Sequence, residues 1–551
     1  MQFIYFYIIY LIFLFSCIGH GIFFAKIFNF KNQINIGTYG LLGLTNLAFI
    51  SYITVFFIQN KSFLNILIIL LGLFFLFIFR NKLVIPKKFW LTLFVVSIAL
   101  LISKTHDDFP FYHLQQSLNF STNKIQIGLS NLDFSYAYHS SILYLNSLFY
   151  LPYFDYYFFN VPNLLFLFFS IIVLTNSCLD EKNINLIKFF SLFAVIFIII
   201  KFSRLSEYGT DISGQILLTV VFYYLLKVIY SKKIKIDYLK IIVTFIIFSI
   251  TIKTYFIFYS LLIFLVINIL GYKKTFDLVK SNALFSFYII IFISLFLTLN
   301  IFSSGCLIFP VAETCFDNLK WAMPINEIKD YNIWFQAWSK SLAGTGYVIK
   351  NYYSLVTDLG WIQIWYSNYF SKYLETIYLL IFITLLLILL FRPYKKEFNF
   401  SKFHFFLIIF LIFVAIFWFF KHPTLRYGGY FIHFSLFSLI ISLILARSEL
   451  SQKSIQKKIS ILIFISLSIF GLKNIDRIYS ELDRKDEYSY RNFPFFFVKN
   501  VNYEKIYLNN DQIVTFIAGD VCWASPPPCG TNKNLTSDFL MNFVVFYRDK
   551  N

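Results

Sequence analysis

The chain has 551 residues, 59% of them hydrophobic and only 14% charged, with a formal net charge of +19. So little charge cannot cover the surface of a water-soluble protein of this length, which excludes a soluble globular fold. The basic balance does not point to nucleic acid either, because Lys and Arg gather in short loops between apolar blocks, as they do in membrane proteins.

The apolar blocks run to about 16 to 24 residues each. In hydrocarbon every backbone N–H and C=O needs a partner within its own segment, so blocks of this kind are spanning helices. The first block, Met1 to Phe24, has no basic residue before Lys26. A signal peptide carries its positive charge ahead of the apolar core, so this block reads as a retained first helix with its N-terminus outside. Further spans are predicted near 37–58, 62–79, 89–103, 156–178, 187–202, 211–230, 239–253, 255–270, 282–300, 373–391, 403–420, 428–446 and 459–472. The fold class is therefore all-α integral membrane, with about fourteen transmembrane helices.

Every second loop is rich in cations. These are Lys26 and Lys31; Arg80, Lys82, Lys87 and Lys88; Lys182 and Lys188; Lys232, Lys233 and Lys235; Lys273, Lys274 and Lys280; Arg392, Lys395 and Lys396; and Arg447, Lys453, Lys457 and Lys458. The intervening short loops hold few. This bias assigns the cation-rich set to the cytoplasm and leaves both termini outside. The chain then divides into N-terminal membrane helices (1–103), a first long outer loop with an acidic motif (104–140), central membrane helices (141–300), a second outer loop (301–372), C-terminal membrane helices (373–472) and an outer C-terminal segment (473–551).

Of the six cysteines, Cys17 and Cys178 lie in or beside spans. Cys306 and Cys315, and Cys522 and Cys529, form two local pairs in segments that loop charge places outside, where disulfides persist. Zinc is the rival reading, but neither pair has His partners at finger spacing. The segment closed by Cys522 and Cys529 reads as a small cap over the outer face.

The first outer loop opens with Lys104-Thr-His106-Asp107-Asp108-Phe-Pro110-Phe-Tyr112-His113-Leu114. On a bland reading Asp107 or Asp108 caps a short helix that Pro110 begins. On a sharper one, a carboxylate at the outer end of a span deprotonates a hydroxyl acceptor or holds a divalent cation that does so, with His113 orienting the acid or the acceptor. Cations gather at the same face in the turn Arg204-Leu-Ser-Glu207-Tyr-Gly-Thr-Asp211, at Lys253, and in Lys421-His422-Pro423-Thr-Leu-Arg426-Tyr427. Such residues are usually snorkelling anchors, yet cations on this depleted side suit an anionic headgroup, so Arg204, Lys253, Arg426 and His422 are candidate phosphate-binding residues. Trp334, Trp338, Trp361 and Trp365 read as an interfacial helix or, less simply, a carbohydrate-stacking platform. No motif for ATP or nucleotide-sugar use stands in a plausible context.

With its many helices and an acidic motif in the first long outer loop, the chain resembles the GT-C class of membrane glycosyltransferases, although about four spans precede the loop here rather than one. More narrowly it is similar to a family of bacterial multi-pass membrane proteins. The residues that carry this likeness are Asp108, Tyr112, His113 and Leu114; Gly128, Asn131 and Leu132; Pro310, Cys315, Asp317 and Trp321; Pro423, Arg426 and Tyr427; and Cys522, Trp523, Pro528 and Cys529. The resemblance implies a bacterial cytoplasmic-membrane enzyme moving a sugar from a polyprenyl-phosphate donor to a glycan or lipid acceptor, with Asp108 or Asp107 as base. An O-antigen polymerase or ligase-like protein and a lipid-glycan transporter or flippase are the alternatives.

Overall fold

The computed structural model describes residues 2–32, 34–58, 61–80, 83–342, 352–393, 400–448, 450–482, 495–509, 512–518 and 521–548. The loop cations Lys82, Lys395 and Lys396 lie outside the described residues, as do parts of the second outer loop and the C-terminal segment. Each of the fourteen apolar blocks falls on a helix. Among the described residues, nine helices are long and apolar enough to cross a membrane, and a tenth span arises if Thr254–Leu270 and Tyr272–Ser281, bent by 108°, are taken together.

The shortfall from fourteen has a physical cause. Of the four blocks that fall short, Lys87–Ser97 forms a helix of 11 residues, while Asn185–Lys201, Ile236–Ile252 and Gly429–Leu445 are 17 residues each, about 26 Å long against a hydrocarbon thickness of about 30 Å. Each of the three 17-residue helices meets irregular backbone at one end, around 202–211, at Lys253 and at 422–428. Non-helical backbone at that depth is tolerated only where protein buries it or a cavity is lined by it.

The most enclosed spans are Val161–Leu179 and Ile212–Ile229, each 89% buried, whereas Ser62–Phe79 and Trp361–Phe391 are 28% buried and lie at the rim. Helices Gln2–Ile27 and Ile36–Phe57 approach closely through glycines. A Cβ on Gly43 would stand 1.7 Å from the Cys17 carbonyl oxygen, and one on Gly21 1.7 Å from that of Tyr39. Small residues at such crossings let backbones touch where no hydrophobic force drives association.

Loops of the cation-rich set touch one another. Asp237 accepts from the backbone N–H groups of Lys31 and Asn32 at 3.1 and 2.7 Å, Lys188 donates to Gln452 at 2.6 Å, and Lys458 donates to the Leu390 carbonyl at 2.7 Å. The long segments meet one another in the same way. The first, expected as an outer loop with a short helix begun at Pro110, is folded into the protein: Leu114–Thr122 is a helix buried from Leu114 to Ser121.

The C-terminal segment departs from an all-α fold. Glu504–Tyr507 pairs antiparallel with Ile513–Phe516, which pairs parallel with Cys529–Gly530, and Thr536–Leu540 forms a hairpin with Phe543–Tyr547. Runs such as Ile-Val-Thr-Phe and Phe-Val-Val-Phe-Tyr are β-branched and aromatic and fit a half-buried pleated surface. The hairpin docks on the first long segment through Phe546 N–H to Ile127 O and Ile127 N–H to Val544 O, both 2.8 Å. Both expected disulfides, Cys306–Cys315 and Cys522–Cys529, are formed.

Candidate functional site

Asp108 stands at the entrance to a single π-helical turn, Phe109–His113, with Pro110 in its first turn. Proline is at home there because its missing N–H would have had no partner. The Asp108 side chain makes no capping bond to this turn; it is drawn instead to Arg426, which overturns the helix-cap reading. The C-terminal cap clamps the motif, since Trp523 N–H donates to the Pro110 carbonyl at 3.1 Å. Gln115 Nε2 in turn donates to the carbonyls of Trp523 and Ser525 at 2.9 and 2.7 Å.

Arg426 lies in a short 3-10 turn, Leu425–Tyr427. Side chains from three other helices satisfy the backbone here. Trp365 Nε1 donates to Pro423 O at 2.7 Å, Gln215 Nε2 to Arg426 O at 2.9 Å, and Leu425 N–H to the Tyr369 hydroxyl at 3.0 Å. Trp418, on the preceding helix, donates to Thr424 O at 2.9 Å. The guanidinium lies over the rings of Trp338 and Tyr427, 5.7 and 5.3 Å from their centroids. It joins two carboxylates: Nη2 donates to Asp108 Oδ2 at 2.6 Å and Nε to Asp211 Oδ2 at 3.0 Å. Lys253 Nζ reaches the other oxygen of Asp211 at 2.9 Å. Asp211 precedes helix Ile212–Ile229 at its N-cap, where the helix dipole favours an anion.

Four charged residues from four separate segments thus form an alternating chain, Asp108–Arg426–Asp211–Lys253, with no net charge. Burial alone would push the Asp108 carboxyl up, but the Arg426 guanidinium holds it well below the usual carboxylate range. Burial likewise opposes the Asp211 charge, and Lys253 followed by Arg426 lowers its carboxyl below the ordinary value. Burial disfavours the Arg426 and Lys253 charges, and the facing aspartates restore them. All four are ionised at neutral pH.

The two imidazoles beside the chain are neutral. Burial, then His106, pushes His113 down to about 3, and its buried Nε2 has no hydrogen-bond partner among the described residues. Burial and Arg426 also lower His106. The Asp108 backbone N–H donates to its Nδ1 at 3.0 Å, so the proton of the neutral ring sits on Nε2. The 3.6 Å approach of His106 to Asp108 is therefore not an ion pair. Gly209, at φ +47°, makes room for this ring: a Cβ there would stand 3.0 Å from His106 Nε2.

Of the residues expected from sequence, Asp108, Lys253 and Arg426 belong to the chain and His113 borders it. Asp107 is exposed and outside it. Arg204 is elsewhere, paired with Glu207 at 3.2 Å on a well-exposed surface, because its turn points Asp211 inward in its place. His422 lies next to the group, its Nδ1 3.1 Å from Ser339 Oγ, and burial pushes it down to about 4. Two of the four tryptophans are buried in the protein and two are half-buried. Trp361 and Trp365 are 2% and 5% exposed, and Trp365 and Trp338 hold the Arg426 turn and side chain. Asp211 and His106 were noted in their turns from sequence but given no site role; for Asp211, an acid at the first residue of a span, two after a glycine, was the available signal.

His106, Asp108 and His113 each offer a metal-ligand atom within 4.8 Å of the others. Two imidazoles and a carboxylate suit a first-row transition ion better than Mg²⁺ or Ca²⁺, and a cation there would share Asp108 with a guanidinium.

The helices and this one-ended charge chain define a multi-pass α-helical membrane protein with a buried ionic site. The chain belongs to the family described as a domain of unknown function, DUF8201, which matches residues 1–433. That stretch contains all four charged residues and ends before the cap with Cys522 and Cys529. No curated protein and no solved structure matches the chain.

Removing Asp211 leaves Arg426 and Lys253 short of a partner in a site where Asp211 is only 3% exposed. Asp211→Ala is expected to destabilise the protein by about 3 kcal/mol, while Asp107→Ala changes thermal stability in detergent by less than about 0.5 kcal/mol. A second expectation concerns pH. With His113 at about 3 folded and about 6.5 unfolded, the unfolded chain binds a proton that the folded one does not between those values. Stability therefore falls as pH drops through that window, by up to about 1.4 kcal/mol per pH unit for this residue. The melting temperature of His113→Gln should fall less steeply between pH 7 and 4 than that of the wild type.

Proposed function

We propose that the protein is a membrane glycosyltransferase that moves a sugar from a polyprenyl-phosphate-linked donor to a hydroxyl of a cell-surface glycan or lipid, at the outer face of the bacterial cytoplasmic membrane. One observation carries this reading: a carboxylate and two cations, Asp108, Arg426 and Lys253, converge from distant segments where three short helices end. Each remains partly open, with 23 to 28% of its side chain exposed. A glycosyl transfer between a lipid phosphate and a hydroxyl needs this pairing of opposite charges.

In the reaction the bond from the anomeric carbon to the phosphate oxygen breaks and a bond to the acceptor oxygen forms. The acceptor proton passes to Asp108, and the lipid phosphate leaves with the electron pair. Arg426 and Lys253 stabilise the departing phosphate by charge-assisted hydrogen bonds, which are stronger than neutral ones. Asp211 fixes both cations and makes no contact with the reacting atoms. Neutral His113 and His106 border Asp108 and orient the acceptor hydroxyl.

The test is transfer by the purified protein in proteoliposomes supplied with polyprenyl-phosphate sugars. Wild type is expected to transfer and Asp108→Asn to lose about 10²-fold or more of that rate, the usual contribution of a positioned base. Equal rates would remove Asp108 as the base. Transfer only from pyrophosphate-linked glycans, unaffected by Asp108→Asn, would favour a polymerase or ligase.

A further inference from the structure

Ion-paired as it is, Asp108 is a poor proton acceptor, and Arg426 already has an anion where a lipid phosphate should bind. Both difficulties have one resolution. We propose that Asp108 is an exchangeable occupant of a phosphate-monoester site on Arg426, and that a bound phosphate displaces its carboxylate and frees it to serve as the base. This rests on the glycosyltransferase reading and adds an order of events: donor phosphate first, acceptor deprotonation second.

The two carboxylates on Arg426 are held very differently. Asp211 uses both oxygens, one on Lys253 at 2.9 Å and one on Arg426 Nε at 3.0 Å. It is 3% exposed and sits at the N-cap of a buried helix. Asp108 meets Arg426 through one oxygen only, at 2.6 Å, and is 23% exposed; each aspartate stands at a helix N-cap and neither makes a side-chain capping bond there. Its other charged-site neighbour, His106, is neutral and 3.6 Å away. The guanidinium itself is fixed, by Asp211 at Nε and by the rings of Trp338 and Tyr427 on its faces.

An entering phosphate therefore meets a stationary Arg426 whose Nη2 carries the one replaceable ligand of the group. Lys253, 23% exposed and 5.5 Å from the same Tyr427 ring, supplies a second positive charge in the group. Phosphate carries more charge and more acceptor oxygens than a single carboxylate oxygen, so the exchange favours it when the lipid is present. Removal of the phosphate restores the Asp108 pair and takes the carboxylate out of use as a base.

The consequence has an unusual sign, because loss of the reactive carboxylate should improve phosphate binding. Binding of polyprenyl monophosphate to the full-length protein in nanodiscs would be measured for wild type, Asp108→Asn, Asp108→Ser and Arg426→Gln, with inorganic phosphate as a parallel probe. Both Asp108 variants are expected to bind the lipid phosphate about tenfold tighter than wild type, the scale of one charged hydrogen bond, and Arg426→Gln to lose binding. Tightening for inorganic phosphate as well would identify the free anion as sufficient, whereas tightening for the lipid alone would identify the headgroup of an anchored chain.

A measurement on wild type removes dependence on the variants' folding. Carbodiimide labelling of Asp108, with exposed Asp107 in the same peptide as internal standard, is expected to rise at saturating polyprenyl phosphate. Unchanged or weaker binding in folded Asp108 variants, or labelling that does not rise, would overturn the exchange while leaving the glycosyltransferase reading standing. Failure of wild type and every variant to bind polyprenyl phosphate would overturn that reading together with this one.

Discussion

A guanidinium at the edge of a bilayer loses most of its hydration, and the structure replaces that water with two carboxylates and two aromatic faces. Desolvating a charge costs several kcal/mol unless partners are held in good geometry. Arg426 can keep its charge only because Asp108, Asp211 and Trp338 arrive from three other places in the chain and join its neighbour Tyr427. The arrangement of the surrounding helices follows from this requirement. Helices Asn185–Lys201, Ile236–Ile252 and Gly429–Leu445 end short, so that turns bearing Asp211, Lys253 and Arg426 can enter the space left at their ends.

Irregular backbone at that depth has to be hydrogen-bonded, and the side chains that do so form a second ring around the charges. Trp365, Trp418, Tyr369 and Gln215 serve the Arg426 turn, and the C-terminal cap serves the Asp108 turn through Trp523 and Gln115. Catalysis by charge stabilisation depends on such fixed dipoles, which need not reorganise as charge develops. In this protein such bonds brace the turns of both Arg426 and Asp108, while the Asp108 side chain itself meets Arg426 through one oxygen.

Hydrophobic blocks marked the helices well, because a bilayer leaves no other structure for a long apolar segment. Alternating loop charge also sorted the segments into two sets that do touch within themselves, and it brought Asp108, Lys253 and Arg426 to one set before any contact was known. What could not be read was pairing. Arg204 and Asp211 stand in one turn, seven residues apart, and only packing reveals that Asp211 turns inward and Arg204 stays with Glu207. The span count exceeded the number of full-length apolar helices because composition does not show where a helix stops short for a polar site. The strands of the cap were equally hidden, since their few residues gain stability only by docking on Ile127 and its neighbours.

The coupling between Arg426 and Asp211 is the most direct measure of this account. Stabilities of wild type, Arg426→Gln, Asp211→Asn and the double variant, obtained by denaturant or thermal unfolding in one detergent, complete a double-mutant cycle. If the charges form one buried unit, the double variant is less damaged than the sum of the two singles, with an interaction energy of about 2 kcal/mol. Strict additivity, within about 0.5 kcal/mol, would mean that the two residues do not sense each other and that no such unit exists.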